Sequence, residues 1–518
     1  MEDAEEPVEP ASSANAEAVA TIARAIRRAG AEPSGMGMEV GSNLPKRSGE
    51  DTSSLDRLGL RWVDPPREYP AVSEPSSFGY AHASDGTYLG YRVDGDGPID
   101  VAWQNDWPGN IDMDWEDPLL GSWLRELRSF ARVISHDHRG VGLSSRNVDL
   151  PTLETRVADL LEVLKAIGAR RPALVGVFST GAVNVMTAAM RPALPRAIVW
   201  LEPAARFGWP PDYPWGATDE DREAELGYLG LWGTDAYGRA FHEEEESKGN
   251  LLPPEAPAFM AMQTRNACTP DVAQELSRIW FETDVRGVLE AVGTPTLLLV
   301  HKDRRASVEE AEYIASRMPA AHVREMPGDA WTAEEMPAWA EQVRDSIGAE
   351  RARAPLTTVL ATVMFTDIVG STEKQASLGD RSWKELIERH HALVRQALAR
   401  HSGTENDTAG DGFYATFEGP ARAIRCALEV RERVRELGIE IRAGVHTGEC
   451  ELIDNKVGGI SVTIGARVAA LADRGEVLVS QTVRDLVAGS GLTFEDRGEH
   501  ELKGVPDRWR LYRVVSAA

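Results

Sequence analysis

The sequence predicts two folded units of different class, an α/β unit followed by an α+β unit. Between residues 78 and 347, short apolar strands alternate with helical stretches, which is the pattern of a parallel sheet covered on both faces. After residue 356, strands and helices follow in an order of βαββαβ type. A chain of 518 residues is also too long for one ordinary core. We therefore expect a doubly wound sheet and, after it, a smaller α+β sandwich.

Composition divides the chain into segments. Residues 1–65 are rich in Ala, Glu, Gly and Ser and poor in large apolar side chains, so we expect a disordered tail. Residues 66–347 form the N-terminal unit, and acidic helices at about 203–292 interrupt its strands in the manner of a lid. A short charged linker at 348–356 precedes the C-terminal unit, which spans 357–518.

Short apolar runs and helical periodicity mark the elements of each unit. In the N-terminal unit the predicted strands are 99–103, 131–135, 173–177, 197–201 and 296–300. In the C-terminal unit the predicted strands are 357–365, 413–417, 439–446 and 477–480, and the predicted helices are about 381–401, 420–437 and 462–472. The first of these helices carries its apolar residues on one stripe, so its packing face is clear. This order indicates a ferredoxin-like sandwich.

The net charge excludes several classes of partner. With a formal net charge of −26, the chain should not attract nucleic acid or anionic membrane surfaces, because these are negative too. Its apolar runs fall short of the ~20 residues that span a bilayer, and its first residues lack the basic and apolar regions of a secretory signal. We expect a cytoplasmic protein without a membrane span. The three cysteines have no paired spacing, which favours neither a disulfide nor a zinc site.

Two aspartates of the C-terminal unit are candidates for a shared metal site. Asp367 ends an apolar strand in the run FTDIVGST, and Asp411 lies between two glycines in the run AGDGF, as expected of a tight hairpin tip. Two carboxylates on adjacent strand ends can hold two hard cations against a triphosphate, one activating the 3′-hydroxyl and the other neutralising charge on the leaving pyrophosphate. Taken singly, each aspartate is more simply explained as a turn or helix cap.

The first run also supplies a small-residue turn that opens a helix. Gly370, Ser371 and Thr372 follow the strand directly. Such a turn cradles phosphate with its backbone N–H groups and with the dipole of the helix. The sequence therefore predicts a phosphate-binding turn next to Asp367.

Five stretches of the C-terminal unit together resemble the class III adenylate/guanylate cyclase family. They are FTDIVGST at 365–372, GDGF at 410–413, IRAGVHTGE at 441–449, VTIGAR at 462–467 and ELKG at 501–504. The resemblance implies an enzyme that converts a nucleoside triphosphate to a 3′,5′-cyclic nucleotide and pyrophosphate. It also implies that Asp367, Ile368 and Asp411 hold two Mg²⁺ or Mn²⁺ ions.

The resemblance further assigns roles to cationic side chains. It implies that Arg467 supports the pentacovalent phosphorus of the transition state, and that Lys503 and Arg442 hold phosphate oxygens. Cations suit these roles because they face developing anionic oxygen. In this family the active sites form between two cyclase domains, one giving the metal aspartates and the other the arginine. Because the chain has a single such domain, a homodimer is implied.

Three positions depart from the family pattern. Thr463 stands where members usually carry asparagine, four residues before the arginine, and its hydroxyl lacks the reach of the amide, which points to low turnover. Asp407 and Lys456 stand where the family usually has a purine-reading lysine and its aspartate partner, so the charges are exchanged. Asp407 by itself favours guanine, whereas most bacterial members use ATP. We expect ATP to be the favoured substrate, with measurable use of GTP.

The N-terminal unit is similar to the α/β-hydrolase fold. The matching pieces are WEDP at 115–118, DHRGVGLS at 137–144, the strand–turn–helix around Gly176, and the late strand followed by HKD at 301–303. Hydrolysis on this fold needs a serine at the strand-to-helix elbow, a histidine after the last strand, and an acid between them in chain order.

These catalytic positions are altered. Phe178 occupies the nucleophile position of the run GVFSTG, and Ser179 is displaced from it by one residue. Trp331 stands where the family has its histidine, and Asp303 remains as the acid. We expect an inactive hydrolase, because a displaced serine without a histidine lacks its base. The alternative is Ser179 acting through an unforeseen base.

The sequence allows two roles for the tryptophans of the N-terminal unit. Most of the 14 tryptophans lie in this unit, where they either line a pocket for a small apolar ligand beneath the lid or pack in the core.

The leading prediction is a homodimeric nucleotide cyclase with a silent hydrolase-like sensor. The alternatives are a nucleotide-binding switch without turnover, which Thr463 and the exchanged pair support, and an esterase with a regulatory cyclase-like module, which Phe178 and Trp331 oppose.

Overall fold

Two sheets, one in each unit, organise the computed structural model, which describes residues 77–517 apart from 106–108, 118, 209, 211, 248–253, 329–330, 350–357 and 454–455. The predicted tail at 1–65 and most of the predicted linker lie outside the described residues, as do Trp107 and Trp209. The bounds of the two units therefore stay predictions.

Sixteen strands are described. Those of the N-terminal unit are β1 (Ser77–His82), β2 (Tyr88–Asp94), β3 (Asp100–Gln104), β4 (Arg132–His136), β5 (Ala173–Val177), β6 (Ala197–Leu201), β7 (Thr296–His301) and β8 (Ala321–Met326). Those of the C-terminal unit are β9 (Thr358–Ile368), β10 (Thr404–Ala409), β11 (Gly412–Phe417), β12 (Ile441–Ile453), β13 (Lys456–Gly458), β14 (Val477–Ser480), β15 (Leu492–Glu501) and β16 (Arg508–Ala517).

The described helices fall into the same two groups. The N-terminal unit has α1 (Leu120–Arg128), α2 (Leu153–Ile167), α3 (Thr180–Met190), α4 (Asp219–Leu229), α5 (Asp235–Ser247), α6 (Ala256–Ala267), α7 (Pro270–Glu282), α8 (Arg305–Arg317), α9 (Met336–Gly348) and a 3-10 helix at Arg286–Ala291. The C-terminal unit has α10 (Ser371–Arg400), α11 (Pro420–Arg433), α12 (Ile460–Leu471), α13 (Gln481–Leu486) and a 3-10 helix at Val434–Leu437. Among the residues described, none of these helices is both long enough and apolar enough to cross a membrane.

The first sheet is parallel except at one edge. Its strand order is β1-β2-β4-β3-β5-β6-β7-β8, with β1 and β2 antiparallel and the others parallel. Apolar residues of α2, α3 and α8 pack on one face, and those of α1 and α9 pack on the other. This confirms the predicted doubly wound sheet. Helices α4 to α7, which lie between β6 and β7 in the chain, share a separate apolar cluster around Tyr228, Trp232 and Trp280.

The second sheet has the order β10-β11-β9-β12-β14-β16-β15, and β13 pairs with β12. Helices α10 and α11 cover one face, over a core that includes Met364 and Phe413. Helix α12 lies close against the other face, where a Cβ on Gly465 would stand 2.5 Å from Val363. The predicted α+β class is confirmed, and glycine at this position is what allows the helix to approach the sheet so closely.

The C-terminal unit differs from the prediction in the extent and number of its elements. Strand β9 continues through Asp367, so this residue lies within the strand. The sequence prediction missed the edge strand β10. Its sequence, TENDTA, lacks a large apolar side chain and so carries no apolar periodicity, and an edge strand does not need one because it can pair through its backbone alone. It also missed β13, β15 and β16. Helix α10 begins at Ser371 instead of about 381, as two helices that meet at Gly379, which has a φ of 76°.

The two units contact each other directly. Leu360 of β9 and Leu486 of α13 belong to the same buried apolar cluster as residues of α2 and α3. The carboxylate of Glu154, in the first turn of α2, accepts a hydrogen bond of 3.1 Å from the backbone N–H of Ala421 at the start of α11, and pairs with Arg422 at 3.2 Å. An acidic side chain at the amino end of a helix is stabilising. We call this contact the unit interface.

Candidate active site

Asp367 lies one residue before the end of β9, which is flanked by β11 and β12. The pairing with β12 places Arg442 directly opposite Asp367, and the pairing with β11 places Phe413 opposite Thr366. Asp411 precedes Phe413 by two residues and is thereby brought to the same corner. The carboxyl groups of Asp367 and Asp411 come within hydrogen-bonding reach of each other. The structure therefore brings together the two aspartates predicted to bind metal.

Gly410 and Asp411 form a two-residue loop between β10 and β11. The pairing of Ala409 with Gly412 closes this loop, and Gly410 has a φ of 64°, a left-handed conformation that glycine adopts without steric cost. The ring Nε2 of His391, on α10, hydrogen-bonds the carbonyl of Gly410 at 3.0 Å. The loop that carries Asp411 is thus fixed to the neighbouring helix.

The carboxyl group of Asp411 lies in an environment that suits a cation. Burial raises its pKa and the nearby Asp367 raises it further, whereas a hydrogen bond from Ser371 lowers it. Its Oδ2 atom is buried and has no hydrogen-bond partner among the described residues. A cation between two close carboxylates reduces their mutual repulsion and gives the unpartnered oxygen a partner. Within the described part of the chain, no three His, Cys, Asp or Glu side chains form a larger metal-binding group.

The predicted phosphate turn joins β9 to α10. Gly370 precedes the helix in a left-handed conformation, with a φ of 68° and a ψ of 30°, and Ser371 is the first helical residue. Since glycine offers no side chain to cap the helix, the first N–H groups of α10 remain suited to an anion. Thr372 is exposed at this end of the helix. The turn and the aspartate pair therefore share one corner of the sheet.

Arg467 and Thr463 lie on α12. Arg467 donates from Nε to the backbone carbonyl of Lys503 at 3.0 Å, so the structure brings these two predicted phosphate-site residues together. Thr463 lies one turn earlier on the helix and is exposed.

Arg442 makes contacts that the sequence did not predict. Its Nη2 donates to Oδ2 of Asp367 at 2.8 Å, and its Nη1 donates to the carbonyl of Ala470, near the end of α12, at 3.2 Å. The side chains of Arg442 and Asp367 are each about one-third exposed, at 35% and 39%. The cross-strand pairing of β9 and β12 brings them together, over 75 residues of sequence.

The predicted base-reading residues lie around one tyrosine. Asp407 is exposed on β10, opposite Tyr414 of β11. The hydroxyl of Tyr414 donates to the carbonyl of Val457, the residue after Lys456, at 2.8 Å. The ring of Phe365 stacks on Tyr414 with a centroid distance of 4.7 Å and an interplanar angle of 3°. Tyr414 thus connects the strand pair that carries Asp407 to the segment that carries Lys456, while the side chain of Lys456 lies outside the described part of the structure.

In the N-terminal unit, the strand-to-helix elbow holds Phe178 at a φ of 46°, which is uncommon for a residue other than glycine. Nε1 of Trp200 donates to the carbonyl of Phe178 at 2.6 Å, and the N–H of Phe178 donates to the carbonyl of Leu201 at 3.0 Å. A Cβ on Gly181 would lie 1.9 Å from Trp200, so glycine is required there. Ser179 follows, buried, with an ordinary φ of −68°. This geometry supports Phe178 as the residue in the nucleophile position.

A buried histidine that the sequence did not reveal lies at the end of β7. Nδ1 of His301 is 2.5 Å from Oε1 of Glu202, the residue that follows β6. The rings of Trp331 and Trp339 pack against His301, at centroid distances of 5.2 and 4.7 Å. Asp303, the predicted acid, is exposed two residues further on. Glu202 and His301 are 99 residues apart, and the only sequence signal was a titratable residue directly after each of two buried strands.

A second group of buried titratable side chains lies at the carboxyl ends of β3 and β4. Burial raises the pKa of Asp114 to about 7, although Gln263 of α6 donates to its Oδ1 at 3.2 Å. Burial also raises the pKa of Asp137 and lowers that of His136 to about 4. Trp103 is the only tryptophan among the described residues that line the cavity here, so this cavity gives no support to an aromatic, apolar pocket. Other tryptophans lie in the apolar cores, namely Trp123, Trp200, Trp232, Trp280 and Trp339.

Comparison with known families agrees with the two sheets. Residues 357–516 match the family model described as the adenylate and guanylate cyclase catalytic domain. Residues 107–343 match the model of the alpha/beta hydrolase family.

The curated relatives described here each match about a third of the chain's length or less. A putative adenylate cyclase 3 of Rhizobium meliloti is 28% identical over 155 residues, which are 28% of this chain and 26% of that protein. Uncharacterized proteins of Rhizobium meliloti and Mycobacterium tuberculosis are 29% and 30% identical, over 30% and 31% of this chain. The chain spans only 17% and 56% of the lengths of these two proteins.

Solved structures match each unit separately. The adenylyl cyclase CyaB from P. aeruginosa is 22% identical, with a TM-score of 0.30, over 32% of this chain and 98% of that chain. An esterase from Exiguobacterium antarcticum is 17% identical, with a TM-score of 0.44, over 53% of this chain and 100% of that chain. The two family matches show that the chain joins an N-terminal alpha/beta hydrolase-like region to a C-terminal adenylate and guanylate cyclase catalytic domain.

Proposed function

We propose that this chain is a nucleotide cyclase that converts ATP, and less efficiently GTP, to 3′,5′-cyclic nucleotide and pyrophosphate. The observation that carries the proposal is the Asp367–Asp411 pair, with its buried and unpartnered carboxylate oxygen, at the corner where the turn at Gly370 opens α10. The match of residues 357–516 to the cyclase catalytic domain supports the same activity.

The aspartate pair fits divalent cations such as Mg²⁺ or Mn²⁺, because these ions prefer oxygen ligands such as carboxylates. We assign two ions per site to the carboxylates of Asp367 and Asp411 and the backbone carbonyl of Ile368. When bound, such ions activate the 3′-hydroxyl and neutralise charge on the triphosphate. The N–H groups of Ser371 and Thr372 orient the phosphate chain from the amino end of α10.

Arg467 supplies positive charge to the transition state, and Lys503 holds phosphate oxygens. Since Arg467 lies on α12 and bonds the loop of Lys503, we assign it to a site that it shares with the aspartates of a second subunit. The active form is then a homodimer with two equivalent sites. Thr463 offers a single hydroxyl where an amide is usual, so we expect slow turnover.

Base choice in this proposal depends on Asp407 and Lys456. Asp407 is exposed beside Tyr414, whose hydroxyl is bonded to the backbone next to Lys456. A carboxylate accepts from N1–H of guanine, and an ammonium group donates to O6, whereas adenine presents the opposite pattern. A mismatched polar pair costs a few kcal/mol, which limits the preference for ATP to less than about a thousandfold in kcat/KM.

The N-terminal unit is hydrolytically silent in this proposal and acts on the cyclase through the unit interface. Three observations support silence: the elbow residue is Phe178, Ser179 is buried, and His301 is buried with the ring of Trp331 packed against it. Its contact with the start of α11 through Glu154 gives the unit a direct means of affecting the second sheet.

The test is an assay of the purified full chain with ATP and with GTP, each in Mg²⁺ and in Mn²⁺, with cyclic product measured by chromatography. We expect cyclic product from both nucleotides, with ATP favoured. The variant Asp407→Ala should shift the ratio of the two kcat/KM values, whereas Asp380→Ala, an exposed aspartate on α10, should leave it unchanged.

Two results would count against the proposal. Tight nucleotide binding without any cyclic product would identify the chain as a switch without turnover, the function that Thr463 favours. A preference for ATP beyond about a thousandfold would remove Asp407 and Lys456 from base reading.

A further inference from the structure

The guanidinium group of Arg442 joins the corner that carries Asp367 to helix α12 of the same chain. One of its nitrogen atoms bonds the carboxylate of Asp367, and another bonds the carbonyl of Ala470 on α12, the helix that carries Arg467. The planar fork of arginine makes two such bonds in fixed directions at once. The strand pairing places Arg442 opposite Asp367, so the contact is built into the sheet.

Asp367 is also one of the two aspartates assigned to the metal ions. A divalent cation on that carboxylate would lie within about 5 Å of the guanidinium group, and two cations at that distance repel each other. The arginine–aspartate pair is about one-third exposed, and such pairs are weak enough to be exchanged. Asp411, by contrast, makes no ion pair with an arginine in the described chain, and its Oδ2 is unpartnered.

We propose that Arg442 is a positioning residue that occupies Asp367 until a divalent cation takes over this carboxylate, and that the exchange releases the carbonyl of Ala470 and the end of α12. The inference rests on the proposed function, because it takes Asp367 and Asp411 as the metal site. Metal binding is thereby coupled to the helix that bears Arg467. After release, the guanidinium group is available to phosphate oxygens.

The test measures Mn²⁺ binding to the full chain without nucleotide, by electron paramagnetic resonance of free Mn²⁺. We expect Arg442→Gln to bind Mn²⁺ about three- to tenfold more tightly than the wild type, because a competing positive charge is gone. Arg442→Lys keeps the charge but not the fork, so its affinity should lie between the two. Arg474→Gln is the matched control, since Arg474 pairs with Glu440 and not with a metal aspartate, and its affinity should equal that of the wild type.

A second readout separates exchange from a simple charge effect. In the wild type, Mn²⁺ should speed amide hydrogen exchange in peptides that cover 468–476, whereas Arg442→Gln should show the faster exchange without Mn²⁺. Equal affinities of the wild type and Arg442→Gln, or exchange rates that do not respond to Mn²⁺, would overturn the inference alone. If Asp411→Asn binds Mn²⁺ as well as the wild type does, the metal site itself is wrong, and the proposed function falls with it.

Discussion

Two of the strand–turn–helix corners in the described part of the chain can be compared, and they present different groups to their surroundings. At the corner between β9 and α10 the left-handed residue is Gly370, and at the corner between β5 and α3 it is Phe178. Around Gly370 lie carboxylates that are partly exposed, one of them with an unpartnered oxygen. At Phe178 the backbone carbonyl accepts from the Trp200 side chain, the backbone N–H donates to Leu201, and the neighbouring Ser179 is buried.

In the proposed function, the second corner keeps its backbone geometry without its chemistry. The φ of Phe178 is held by hydrogen bonds from Trp200 and to Leu201, which belong to the core of the sheet and do not depend on a nucleophile. Strained backbone of this kind survives where the surroundings over-determine it. A preserved elbow is therefore evidence for the fold, and the side chains around it are evidence for activity.

The largest expected effect comes from removing the carboxylates at the first corner. Asp367→Ala or Asp411→Ala should lower cyclic nucleotide formation by at least about a thousandfold, because each change removes a ligand of the cations that the reaction requires. The measurement is kcat with the better nucleotide, and Asp380→Ala serves as the control.

The shared site gives this prediction a second arm. Mixing equal amounts of an Asp367→Ala chain and an Arg467→Ala chain should restore about a quarter of wild-type activity, because half of the dimers are mixed and each has one intact site. Activity in the aspartate variants, or mixtures as inactive as their components, would remove the contrast between the two corners.

An intermediate effect is expected from pH, and it sharpens the contrast between buried and exposed acids. Burial raises the pKa of Asp114 to about 7 and that of Glu310 to about 8, so the folded N-terminal unit holds protons that the unfolded chain has lost above about pH 4. The contribution of these two groups to the free energy of unfolding is therefore greatest at about pH 4, and it falls as the pH rises towards the folded pKa values of about 7 and 8. Each group contributes about 1.4 kcal/mol per pH unit.

This pH dependence is measured by urea unfolding between pH 5 and pH 7, followed by tryptophan fluorescence. Asp114→Asn keeps a hydrogen-bond acceptor for Gln263 and should reduce the slope by the contribution of one group, whereas Asp303→Asn, at an exposed position, should not. The buried His136, whose pKa is lowered to about 4, contributes with the opposite sign below about pH 6.5, so the comparison of variants is the test: equal slopes in the wild type and in Asp114→Asn would contradict the prediction.

The smallest expected effect is none at all, at the second corner. The chain should hydrolyse a short-chain nitrophenyl ester no faster than buffer does, because we assign Phe178 to the nucleophile position, where a phenyl ring cannot attack an ester. Ser179→Ala should leave the background rate unchanged. Turnover that disappears in Ser179→Ala would show that the second corner is also a reactive one.

The features that sequence revealed were local in the chain, and those it missed join distant residues. The strand, glycine turn and helix around Asp367 are contiguous, and the hairpin at Asp411 is marked by two glycines, so both were predicted. The bond between Arg442 and Asp367 depends on strand pairing over 75 residues, and that between His301 and Glu202 spans 99. Strand β10 escaped because its pairing is by backbone, which leaves no apolar periodicity.

The unit interface limits how far the two units can be treated as separate modules. Leu360 and Leu486 complete an apolar cluster of the other unit, and Glu154 is buried against the start of α11. Dividing the chain between the units would expose apolar surface on both sides and leave that carboxylate without its partners. From Leu360, β9 runs without interruption over seven residues, or about 23 Å, to Asp367. One hydrogen-bonded strand therefore connects the unit interface to the carboxylate that we propose binds metal.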